Sequence, residues 1–197
     1  LICFVFISGC QSKSNKKNTL DKLHPINEEI VAWIQIPQTK INYPVVQGKD
    51  NDFYLKHNIN GDKAKHGAIF MDYRNTARDQ NLIIYGHHMN DGTMFKDLIK
   101  FKKEDFFKNQ KDIYLDMGQG KERYQVFMVS LLSGTTDYLH TSFNDQDDYA
   151  SYLEKIKEDA LYYRDFDLRE DQKILTLATC SYEFDEARTV VFAYKVE

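Results

Sequence analysis

From residue 25 onward, short apolar runs alternate with polar stretches, and their spacing predicts many strands and few helices. Ile34-Gln35-Ile36, closed by Pro37, reads as a short strand, and 41–46, broken by Pro44, as an edge strand or a bulge. Residues 68–71, 82–85, 113–115, 124–132, 174–179 and 190–196 are further strand candidates, with a Gly-containing turn at 117–120. Helical signals are fewer. Asn27-Glu28-Glu29 ahead of Ile30, Val31 and Trp33 predicts a capped short helix with acids in its first turn. Residues 50–58 and 104–107 predict short helical segments, and Met94, Phe95, Leu98 and Phe101 recur at helical spacing. The longest amphipathic pattern covers 145–163, with Tyr149, Tyr152, Leu153, Ile156, Ala160 and Tyr163 on one face. Unevenly spaced strands with few helices between them argue against a doubly wound parallel sheet. They predict a mainly β fold, a closed or nearly closed barrel with helices inserted in its connections.

Composition narrows this picture. The 197 residues are 42% hydrophobic with 3 Pro and 9 Gly, which excludes a collagen-like or disordered chain. Thirteen Phe, 13 Tyr and one Trp suffice for one large core. The net charge of -4 gives no footprint for nucleic acid. Residues 1–10, LICFVFISGC, read as the end of a membrane anchor or signal segment, and 11–24, polar and Lys-rich, as a tether ahead of a domain spanning 25–197. Ile7-Ser8-Gly9-Cys10 also matches a lipobox, which would make Cys10 a lipidation site. Either reading puts the domain outside the cytoplasmic membrane, whereas Lys13, Lys16 and Lys17 are flanks of the kind that stay inside.

Cys180 is the one cysteine beyond the apolar beginning, so no disulfide can form within the domain. It closes the strand candidate 174–179, and Arg188 opens the next. If the two pair as a hairpin, Cys180 and Arg188 face each other at its mouth. A guanidinium there favours the thiolate and can also hold a developing oxyanion. His87 follows the strand candidate 82–85 and Gly86, and it supplies a base at a third strand end. A plainer reading stays open: His87 and His88 as loop residues, Arg188 paired with Glu183 or Asp185, and Cys180 as a small buried hydrophobe.

The motifs add a resemblance. TLATC (176–180) resembles the TLxTC signature of sortases, and Arg188 in ARTVVFAYKV fits the Arg that follows it. YGHHM (85–89), continuing as NDGTMF, is similar to the GHxM…D…MF segment of class B sortases. WIQIP (33–37), YPVVQ (43–47) and DNDFYL (50–55) match in the same order, so the resemblance runs from about Asn27 to the C-terminus. Position 178 departs from the pattern: it is Ala where some members carry a hydroxyl.

The resemblance implies a sortase-like eight-stranded β-barrel with N-terminal helices and a long helix between strands 6 and 7. It implies a cysteine transpeptidase that cleaves a C-terminal sorting pentapeptide (NPxTx or xPxTG) after Thr and passes the surface protein to a peptidoglycan amine. Cys180 would be the nucleophile, His87 the general acid and base, since the catalytic His directly follows Gly, and Arg188 the oxyanion donor. Asn51 and Leu55 would line the substrate groove, with Tyr138 and Leu139 as its other wall and Thr179 beside the nucleophile; ordinary packing is the alternative for each. No cofactor is implied. His87, His88 and Asp91 lack the spacing of a zinc site, and residues 144–148 lack the Gly and distal Glu of a calcium loop. The rival functions are a tethered lipoprotein with an inert Cys180 and a purely hydrolytic cysteine endopeptidase.

Overall fold

The structure is a computed structural model and describes residues 19–134, 136, 138–166, 169, 172–180 and 187–196. The expected anchor segment 1–10, with Cys3 and Cys10, and residues 11–18 of the expected tether lie outside the described residues. The described part starts with a helix, α1 (Thr19–Leu23), whose Leu20 is buried against the barrel, so the stretch 19–24 is folded.

Two strands, β1 (Ile30–Gln35) and β2 (Asn42–Val46), follow, then a 3₁₀ turn at Phe53–Leu55. Next come β3 (Ile69–Met71) and β4 (Asn81–Tyr85), a 3₁₀ segment at Lys96–Lys102, and α2 (Glu104–Asn109). The remainder comprises β5 (Asp112–Asp116), β6 (Lys121–Ser133), α3 (Gln146–Lys157), β7 (Ala160–Tyr163), β8 (Ile174–Cys180) and β9 (Ala187–Lys195). The strands form one sheet in the order β5-β1-β2-β3-β4-β8-β9-β6-β7, and pairing of β5 with β6 closes it. Eight strands therefore make a closed barrel, and β7 hangs on β6 outside the ring. The pairs β2–β3 and β4–β8 are parallel and the others antiparallel. Among the described residues no helix is long and apolar enough to cross a membrane.

Strand periodicity distributes the apolar residues over two faces. Leu175, Leu177, Val191 and Ala193 point into the barrel with Ala32, Ile34, Leu82 and Ile84. Their neighbours Ile174, Ala178, Val190 and Phe192 point outward into a second core under Tyr149, Tyr152 and Ile156 of α3. Strands buried on both faces read as continuous apolar runs, which is why 174–179 and 190–196 show no alternation.

Three expectations need correction. The helix expected after Asn27 is a turn into a strand. Asn27 Oδ1 accepts the backbone N–H of Glu29 at 2.8 Å, an Asx turn, and β1 then buries Ile30, Ala32 and Ile34 alternately. β2 is an inner strand rather than an edge. Pro44 is tolerated because β3 pairs only with Val45 and Val46, so one flank of Pro44 carries no ladder, and the bulge falls in β1 between Ile30 and Ala32. The expected helix 145–163 stops at Lys157, and Ala160–Tyr163 is a strand on β6. The aromatic pair Tyr162 and Tyr163 suits that position, and the helical phase of Tyr163 with Ile156 is coincidental.

Candidate active site

Three neighbouring strands, β4, β8 and β9, deliver the chemistry to one end of the barrel. β8 and β9 pair antiparallel, with Cys180 opposite Arg188 in the register. Their Cα atoms are thus about 4.5–5.5 Å apart. β4 runs parallel to β8 with Tyr85 opposite Ala178, and the Gly86 N–H donates to the Ala178 carbonyl at 3.2 Å, which extends the ladder. Two residues further on, His87 comes level with Cys180. Cys180 is placed here by its strand register alone.

Gly86 is fixed by close approach. A Cβ there would sit 2.4 Å from Ile69 Cδ1 and 2.7 Å from Phe95 Cγ. Gly67, at φ +58°, packs against the same site, and a Cβ on it would lie 2.4 Å from the Tyr54 carbonyl oxygen and 3.1 Å from His87 Cδ2. His87 Nε2 meets the Leu55 carbonyl at 2.7 Å. A carbonyl only accepts, so Nε2 carries the proton and Nδ1 is the basic atom of the neutral ring. His88 is a different case: it is buried, contacts Lys96 Nζ through Nε2 and does not line the cleft.

A cleft of about 290 Å³ opens between these strand ends. His87 and Arg188 line it, as do all five residues expected to contact substrate: Asn51, Leu55, Tyr138, Leu139 and Thr179. Thr179 is buried, and its hydroxyl has no hydrogen-bond partner within the described structure. The carboxylates Glu183 and Asp185, the alternative partners for Arg188, lie outside the described residues.

Sequence reasoning missed the apolar surface supplied by Phe70, Tyr85 and Ala178, and the polar network beneath it. Asp72, fully buried, accepts hydrogen bonds from Arg74 Nε and Nη2 (both 2.9 Å), Asn51 Nδ2 (3.0 Å) and the Tyr85 hydroxyl (2.8 Å). Burial pushes the Asp72 carboxyl up, but the bonds from Arg74, Tyr85 and Asn51 outweigh it and hold the group below the usual carboxylate range. Burial, then the Asp72 charge, raises Tyr85 well above an ordinary phenol, so it stays a donor. The available signal was a short apolar strand ending in a charged residue, with an arginine two positions later.

Comparison with known proteins bears on this geometry. Residues 34–196 match the family described as Sortase domain. A Listeria monocytogenes protein named Sortase B is 38% identical over 181 residues, covering 89% of this chain and 73% of that protein. The crystal structure of Clostridium perfringens sortase B superimposes with a TM-score of 0.87 at 39% identity, covering 91% of this chain and 100% of that one. That of Staphylococcus aureus sortase B gives 0.83 at 36%, covering 90% and 86%. The chain belongs to the sortase family, within class B, and is a cysteine transpeptidase.

Proposed function

We propose that the chain cleaves secreted proteins after the Thr of a C-terminal sorting pentapeptide (NPxTx or xPxTG) and joins them to a peptidoglycan amine. The observation that carries this reading is the row of His87, Cys180 and Arg188 on three adjacent strand ends beside one cleft. The Cys180 thiolate adds to the Thr carbonyl carbon, and Arg188 stabilises the oxyanion. Collapse breaks the C–N bond, with the leaving amine taking its proton from His87 Nδ1, and leaves a thioacyl enzyme. An acceptor amine then attacks the thioester, His87 takes up its proton, the amide forms and the C–S bond breaks. The apolar cleft residues and Asn51 bind the peptide, and no cofactor takes part. The same reading sets the domain on the extracellular face of the cytoplasmic membrane, held by the segment that includes residues 1–10.

A panel of fluorogenic peptides of both types, with and without a glycine-peptide amine, tests this. Cleavage should require Cys180 and shift from acid to amide product when the amine is added. Acid product alone would mean a hydrolase, and activity surviving in Cys180→Ala would end the proposal.

A further inference from the structure

Among the described residues of the connection from β6 to α3 none lies in a strand, yet four successive carbonyls in it are held by donors from elsewhere. The Tyr152 hydroxyl donates to the Tyr138 carbonyl (2.9 Å), Arg74 Nη2 to Leu139 (3.1 Å), Asn81 Nδ2 to His140 (2.8 Å) and the Asn81 backbone N–H to Thr141 (3.1 Å). Of these donors, Arg74 also binds Asp72, which carries the tie to the other segment of the cleft lining. Its guanidinium grips both oxygens of Asp72, and Asp72 takes the amide of Asn51. Asn51 cannot turn over, because its Oδ1 accepts the Tyr73 backbone N–H at 3.0 Å while its Nδ2 faces Asp72. One buried carboxylate therefore joins the Asn51 segment, Tyr85 and, through Arg74, the Tyr138–Leu139 segment.

We propose that Asp72 and Arg74 are positioning residues that fix the separation of the two lining segments and so set how the cleft grips an extended peptide. This rests on the peptide-transfer reading above. The planar fork of Arg is needed, because it binds two carboxylate oxygens and a carbonyl together, whereas a Lys ammonium is a compact point charge. Neither residue touches the reacting atoms, so the reactivity of Cys180 should not depend on them.

The test compares the full chain with Arg74→Lys and Asp72→Asn. In both variants hydrogen exchange over 134–144 and 49–55 should quicken about tenfold while β8 and β9 stay protected. KM for a cleaved peptide should rise about five- to tenfold with kcat within about twofold, the pattern of lost uniform binding. Alkylation of Cys180 by a methanethiosulfonate should keep its wild-type rate. Unchanged exchange and KM in a folded Arg74→Lys overturns the proposal, as does a Cys180 alkylation rate that falls with kcat. If Asp72→Asn does not fold, Arg74→Lys decides. If the wild type cleaves no peptide, the transfer reading fails, and the exchange data still decide the tie.

Discussion

At the scale of single residues, the Leu55 carbonyl sets the tautomer of His87. By accepting from Nε2 it leaves Nδ1 as the atom that would move the proton in the proposed reaction. The proposed reaction needs thiolate and imidazolium together. With free pKa values of about 8.5 and 6.5, only about one molecule in a hundred holds both charges near pH 7.5. The kcat/KM profile of the proposed reaction should be bell-shaped, and a rate flat from about pH 5 to 10 would contradict it. Arg188→Lys should lower kcat/KM by about 10²–10³-fold with the fold intact by circular dichroism, because an ammonium replaces the forked donor at the oxyanion. Gly67→Ala should impair activity by displacing His87 or the Leu55 carbonyl, since the new methyl group meets backbone 2.4 Å away. Wild-type turnover in that variant would show that the local chain gives way freely.

At the scale of elements, helix α3 is capped by Asp145, whose side chain accepts the Asp148 N–H at 2.9 Å. Asp145→Ala should cost about 1 kcal/mol of stability, read as a lower urea midpoint, and leave peptide KM unchanged. The strands at the site were legible in the sequence because they are apolar, carry β-branched residues and are bounded by Gly86, Cys180 or Arg188. The hairpin pairing of Cys180 with Arg188 was legible too, since an antiparallel hairpin sets the end of one strand beside the start of the next. The start of β1 was not. Asn27 followed by acids signals a helix N-terminus as well as an Asx turn, and the choice was made by long-range partners, including the Tyr54 hydroxyl that accepts from Asn27 Nδ2. The end of α3 escaped for a similar reason, because Ala160–Tyr163 takes its conformation from β6. The Asp72 network was hidden, because an ion pair at residues 72 and 74 says nothing locally about Asn51 or Leu139.

At the scale of the whole molecule, titration should limit stability at both ends of the pH range. Asp72 and Asp79 are held low in the fold, in each case against burial and by hydrogen bonds, so their contribution is complete above about pH 4 and is lost as pH falls below that. Burial raises Tyr85, Tyr124 and Tyr149, and it raises Tyr54 to about 12, helped by Glu29. Their contribution is complete below about pH 10 and is lost above it. Urea midpoints measured across pH should form a plateau with shoulders on both sides, and a midpoint unaffected below pH 4 would contradict the Asp72 assignment. The parallel contact of β4 with β8 has one further effect. It joins a strand from the first half of the chain to one near its end, so the proposed base and nucleophile are strangers until those two strands pair. A polypeptide in which β4 has not met β8 keeps the imidazole and the sulfur apart, so competence for the proposed reaction arrives only with that pairing.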